Sequence, residues 1–146
     1  MKIEIVVGSV LGASEYVAEA CAALLAKHGH ESQCHFTPKL SDIDTNNPML
    51  VITSTHGAGD LPENIEQFTK DIQAQSLSGL NALVIGLGDS SYDTFCQASI
   101  TLANLITQAG GKVKLPVYQI DVLHHPIPED TAVEWLSNHL AELVQG

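Results

Sequence analysis

Five apolar runs of strand length alternate with stretches of helical period along this chain, and that alternation leaves few folds open. The runs are Lys2 to Val7, Glu31 to Phe36, Met49 to Ser54, Ala82 to Leu87 and Lys114 to Ile120. Helical spacing lies near Glu15 to His28, Glu63 to Gln75, Phe95 to Ala109 and Pro128 to Val144. Strands separated each time by a helix cannot pair as hairpins; they line up parallel, and a parallel sheet buries both faces. The expected fold is therefore α/β, a three-layer, doubly wound, five-stranded parallel sheet, in one domain over residues 1–146. The first helix is expected to turn Val17, Ala20, Cys21, Leu24 and Leu25 inward and to end at Gly29. Gly110 and Gly111 close the third helix in the same way, and the last helix, introduced by Pro126 and Pro128, turns Trp135, Leu136 and Leu140 inward.

In such a sheet, ligands sit beyond the carboxyl ends of the strands, where strand order reverses. Three loops that follow strands are rich in Gly, Ser and Asp: "GSVLGAS" from Gly8, "STHGAGDLPEN" from Ser54 and "GLGDSSYDTFC" from Gly86. All three are expected at one edge of the sheet. The first offers backbone N–H groups from Val10 to Ser14, the hydroxyls of Ser9 and Ser14, and the positive end of a helix dipole, which together suit an anion. Gly8 and Gly12 are four apart, a spacing GxGxxG does not contain, and Ala13-Ser14 stands where a nucleotide-triphosphate loop needs lysine, so the phosphate would lie on another kind of molecule. The same residues would also serve as a helix cap, with Ser14 capping. Tyr92 in the third loop offers a ring to a planar ligand, or else belongs to the core. The glycines around Ala58 let backbone amides approach a ring edge closely.

These loops together resemble the FMN sites of flavodoxins and of the FMN domains of diflavin reductases, along nearly the whole chain. Through "GASEYVAE", "STHGAGDLPEN", "YDTFC" and "IPEDTAVEWL" the chain is most similar to short stand-alone flavodoxins of the MioC type. The resemblance implies a flavodoxin-like fold and FMN as cofactor. Ser9, Val10, Leu11, Gly12, Ala13 and Ser14 would surround its 5'-phosphate. Ser54, Thr55, His56, Gly57, Ala58 and Gly59 would form the middle of the site, with Gly57 nearest flavin N5. Gly88, Asp89, Tyr92, Phe95 and Cys96 would complete it, Tyr92 stacking on the ring system. Two positions depart from the family: Leu11 stands where most members carry threonine, and His56 where many carry Trp or Tyr. Loss of the threonine hydroxyl, a hydrogen bond of about 0.5–1.5 kcal/mol, implies weaker hold on FMN than in typical members. His56 also brings near the flavin a group that titrates close to neutrality, unless ordinary loop hydrogen bonds hold it.

Composition narrows the chemistry. Seventeen Asp plus Glu face six lysines and no arginine, a formal net charge of -11. Such a surface repels nucleic acid and attracts basic proteins, although acidity also favours solubility. With no cation in the loops, each added electron meets negative charge, and a unit charge ~10 Å away at an effective dielectric of ~20 contributes ~1.7 kcal/mol. A low-potential, one-electron carrier is the expected function. Its partners would be basic-surfaced redox proteins: by the resemblance, a flavodoxin reductase as donor and an acceptor such as biotin synthase. The alternative is an enzyme, a flavin-dependent NAD(P)H quinone or nitro reductase.

No apolar run approaches the ~18 residues of a membrane span, and the N-terminus lacks the pattern of a secretory signal, so a cytoplasmic monomer without membrane contact is expected. Cys21, Cys34 and Cys96 form no CxxC pair, which suits reduced thiols. Ser54, His56 and Asp60 lie close in sequence but lack the GxSxG elbow of a hydrolase. His124 and His125 near Asp121 read more simply as a solvated loop than as a metal site.

Overall fold

The structure is a computed structural model that describes residues 1–10, 12–56 and 59–144. Strands β1 (Lys2–Gly8), β2 (Glu31–His35), β3 (Met49–Ser54), β4 (Asn81–Gly88), β5 (Lys112–Val113) and β6 (Tyr118–Asp121) alternate with helices α1 (Ala13–Lys27), α2 (Glu66–Ala74), α3 (Gln97–Gln108) and α4 (Pro128–Val144). The sheet runs β2-β1-β3-β4-β5, with β6 also paired to β4, and every pairing is parallel. The chain thus winds outward from β1 to β2, returns across β1 to β3, and continues the other way. The reversal opens a crevice at the carboxyl ends of β1 and β3.

The fifth position corrects the expectation of one strand from Lys114 to Ile120. β5 pairs with Asn81 and Ala82, β6 with Ile85 to Gly88, and the chain leaves the ladder between them. Pro116 lies in that gap and has no N–H to donate, so a continuous ladder cannot pass through it. Both pieces flank β4, and the five-stranded parallel architecture stands.

Alternation along the strands builds two cores. Ile3, Ile5 and Val7 join Val17, Ala18, Cys21 and Leu25 of α1 and Ala132, Leu136 and Leu143 of α4 on one face. Val6, Met49, Val51 and Val84 meet Phe68 and Ile72 of α2 and Leu102 and Ile106 of α3 on the other. Within α1, Ala18 is fully buried, whereas Ala20 and Leu24, expected inside, are half-buried. Trp135 and Leu140 are also half-buried, Trp135 stacking on Tyr118 with ring centroids 4.8 Å apart. Glu4 breaks the apolar pattern of β1: buried, it accepts hydrogen bonds from His35 Nε2 (3.0 Å) and Asn47 Nδ2 (3.3 Å).

Helix boundaries shift for local reasons. α1 begins at Ala13 rather than Glu15, because Gly12 at φ +89° turns the chain into the helix. The stretch from Glu63 opens as a 3-10 turn and becomes α-helical at Glu66. α3 starts at Gln97, after Cys96 adopts φ +54°. The three cysteines are free thiols, and no helix among the described residues is long and apolar enough to cross a membrane.

Candidate functional site

The loop after β1 is held from within and from afar. Ser9 Oγ accepts the Gly12 N–H (3.0 Å), and the Ser9 N–H donates to Asn64 Oδ1 (2.9 Å). The Gly12 carbonyl takes the N–H groups of Glu15 and Tyr16, at 3.1 and 3.2 Å. Those of Ala13 and Ser14 find no carbonyl among the described residues, as first-turn donors commonly do not. Ser14 is not the cap: Gly12 holds that place, and no side chain caps the helix. Ser14 Oγ is instead fully buried without a hydrogen-bond partner among the described residues. A hydroxyl and two N–H groups without partners among the described residues, at a helix start, are a donor set that fits a phosphate.

The loop after β3 closes on itself and on its neighbour. His56 and Asp60 exchange backbone hydrogen bonds, both 2.8 Å. Thr55 Oγ1 accepts the Ala98 N–H of α3 (3.1 Å), and Ser54 Oγ reaches the Gly8 carbonyl at 3.5 Å. Gly59, at φ +98°, lies against Thr94 and Gln97 so closely that a Cβ there would meet Thr94 Cγ2 at 3.2 Å. His56 is exposed, and among the described residues it bonds through its backbone alone. Ser54, His56 and Asp60 form no side-chain relay, so the hydrolase reading has no geometry.

The loop after β4 is shaped by a turn at Asp89, whose Oδ1 accepts the Ser91 N–H (2.8 Å) and whose carbonyl accepts the Tyr92 N–H (3.1 Å). Tyr92 is 64% exposed, which excludes a core role. Cys96 is buried, and burial first, then the nearby Asp121 charge, pushes its thiol to about 12. It is not a nucleophile near neutral pH. Asp121, at the end of β6, accepts the N–H groups of Leu123 (3.0 Å) and Ser90 (3.3 Å). Hydrogen bonding to Ser90 foremost, then to Leu123, with His124 nearby, holds its carboxyl below the usual range. His124 Nε2 stands 3.6 Å from Asp121 Oδ2, and no three His, Cys, Asp or Glu side chains converge among the described residues.

Two adjoining cavities share Thr55, Gly88 and Asp89. One of about 220 Å³ continues along Tyr92, Thr94, Phe95 and Cys96; one of about 240 Å³ continues along Val10, Ala13, Ser54, Leu87 and Val122. The resulting cleft runs from the start of α1 to Tyr92, with hydrogen-bond donors at one end and an exposed ring at the other. Of the residues expected from the sequence, Val10, Ala13, Ser54, Thr55, Gly88, Asp89, Tyr92, Phe95 and Cys96 line it. Ser9, Gly12, Ser14, His56 and Gly59 belong to the loops after β1 and β3 but are not among the residues that line the two cavities. Leu11, Gly57 and Ala58 lie outside the described residues. The sequence reading placed Leu87, Thr94 and Asn64 within these loops without singling them out, and it missed Val122. Val122 follows the fifth strand position, so extending the strand-end rule to that strand would have found it. Asn64 acts only through partners distant in sequence.

The family model for flavodoxins matches residues 5–135. Protein MioC of Escherichia coli strain K12 is 41% identical over 138 residues, covering 93% of this chain and 94% of its own. Flavodoxin YqcA of the same organism is 35% identical over 140 residues, covering 92% and 93%. Among solved structures, a cysteine-to-alanine mutant of flavodoxin from Pseudomonas aeruginosa superposes with a TM-score of 0.90 at 36% identity, covering 98% of this chain and 99% of the other. Oxidised flavodoxin 1 from Bacillus cereus gives 0.84 at 25% identity, covering 98% and 97%. With the sheet order, the three-loop cleft and a family match over most of its length, the chain belongs to the flavodoxin family.

Proposed function

We propose that residues 1–146 act as one domain that binds FMN and carries electrons singly at low potential. The donor would be a flavodoxin reductase and the acceptor an enzyme, biotin synthase being the one that the MioC likeness suggests. The observation that carries the reading is the cleft, which joins the donor-rich start of α1 to Tyr92 through Thr55, Gly88 and Asp89.

When bound, FMN supplies one- and two-electron redox chemistry, and the protein contributes hold, orientation and electrostatics. The N–H groups of Ala13 and Ser14 and the Ser14 hydroxyl would take the phosphate, with Val10 beside it. Tyr92 would cover a face of the ring system. Gly88 and Thr55, which line both cavities, would lie along the ligand's middle. Asp89 lines the cleft, Asp121 accepts the neighbouring Ser90 N–H, and these carboxylates with the net charge of -11 would disfavour added negative charge, which lowers the potential. A cytoplasmic, monomeric carrier that meets basic-surfaced redox proteins at the exposed edge of the cleft fits these features.

The test is reconstitution. The apoprotein titrated with FMN should quench flavin fluorescence to a one-to-one end point and yield a yellow protein; no binding at micromolar concentration would refute the reading. Turnover of NADPH and a quinone without added reductase would instead make the protein an enzyme.

A further inference from the structure

Asn64 occupies a position that the cleft's lining does not reveal. Its side-chain amide makes three hydrogen bonds: Nδ2 donates to the Val7 carbonyl (2.7 Å) and the Phe36 carbonyl (3.0 Å), and Oδ1 accepts the Ser9 N–H (2.9 Å). Val7 and Ser9 flank Gly8, the last residue of β1. Donating to the carbonyl on one side of a residue and accepting the N–H on the other is what a neighbouring strand does in a parallel ladder. β2 supplies that partner only as far as the pairing of Val6 with His35, and ends there. The Asn64 amide continues the ladder past that point, and its second N–H ties down Phe36, where the β2 chain departs. Ser9 in turn receives the Gly12 N–H on its hydroxyl, so the registration set by Asn64 passes directly to the residue that opens α1.

We infer that Asn64 is a positioning residue: through Ser9 it fixes Gly12 and the start of α1, where the phosphate would be taken, without touching the ligand itself. The inference rests on the FMN reading above. Because its action reaches only the phosphate end of the cleft, it should matter for FMN and hardly at all for riboflavin, which carries the same ring system without the phosphate.

The experiment titrates wild-type apoprotein and the Asn64→Ala and Asn64→Ser variants with FMN and with riboflavin by fluorescence. Circular dichroism melts of each apoprotein establish folding, and Ser9 amide exchange is followed by NMR. Asn64→Ala should weaken FMN by about 10-fold or more, the equivalent of one or two lost hydrogen bonds, with riboflavin changing less than about 3-fold. Asn64→Ser, a smaller disturbance of the helix start, should move the FMN-to-riboflavin ratio in the same direction, and Ser9 should lose amide protection in both. An equal loss for the two ligands, or no loss for FMN, overturns the positioning role while leaving the FMN reading intact. Wild-type protein that binds no FMN overturns both.

Discussion

A Cβ at position 88 would stand 2.9 Å from both the backbone N and the Sγ of Cys96 and 3.0 Å from Phe95 Cδ1. Backbone cannot yield as a flexible side-chain end can, so Gly88→Ala must push the third loop away from β4. The cost should be about 1–3 kcal/mol, seen as a lower urea midpoint, with weaker FMN binding because the displaced segment lines the cleft. A variant as stable as wild type would mean that the loop has slack. The buried thiols set a second limit at this scale. Burial, reinforced by Cys34, raises Cys21 from 9.0 to about 12, and burial with the Asp121 charge does the same for Cys96. Between those values the unfolded chain has released both protons and the native chain has kept them, so stability must fall as pH rises above 9 and be unaffected by these groups below it. Each thiol should contribute a slope of up to about 1.4 kcal/mol per pH unit. Urea midpoints measured from about pH 8 to about 10.5 should drop steeply in wild type and less steeply in Cys21→Ala; equal slopes would assign the drop to other groups.

Among the elements, β1 and β2 share a polar link that their sequence does not advertise. Glu4 and His35 face each other at 3.0 Å, both buried, with Asn47 on the second carboxylate oxygen. Removing Glu4 leaves His35 buried without its carboxylate, and removing His35 leaves one buried Glu4 oxygen without its donor, so Glu4→Leu or His35→Leu alone should cost about 1–3 kcal/mol. The double variant should cost less than the sum, because replacing both ends by apolar groups removes the orphan. Strictly additive urea midpoints would mean that the two side chains do not support each other. This link also marks where sequence reading stops. The existence and order of the main strands and helices are legible because a doubly covered parallel strand must be a short apolar run and its crossover an amphipathic helix. The three loops are legible because Gly, Ser and Asp gather where β1, β3 and β4 end. The break in the fifth position is not, since it depends on where Pro116 falls against the β4 ladder. Nor is the late start of α3, set by a left-handed turn at a cysteine rather than a glycine. Asn64 hides most completely: its partners are 28, 55 and 57 residues away, and no local pattern reports a bond of that kind.

At the scale of the whole molecule, a net charge of -11 spread over 146 residues acts on folding and on encounter in opposite senses. Like charges brought together in the compact chain repel, so screening should stabilise it; the same charges would draw in any basic protein, so screening should weaken that attraction. Raising ionic strength from about 0.01 M to 0.15 M shortens the Debye length from about 30 Å to 8 Å, enough to separate the two effects in one series of measurements. The melting temperature should rise across that range. Electron transfer from the reduced protein to a basic acceptor such as cytochrome c should slow by roughly 10-fold or more, as expected when steering is lost. Ferricyanide, an anion, supplies the internal control, because its approach is hindered by the same surface and its rate should increase with salt. Opposite responses from the two acceptors would locate the effect in encounter rather than in the flavin's own potential, which both experience alike. If both rates moved together, the charge would be acting on the cofactor or on stability, and the acidic surface would have no part in choosing a basic partner.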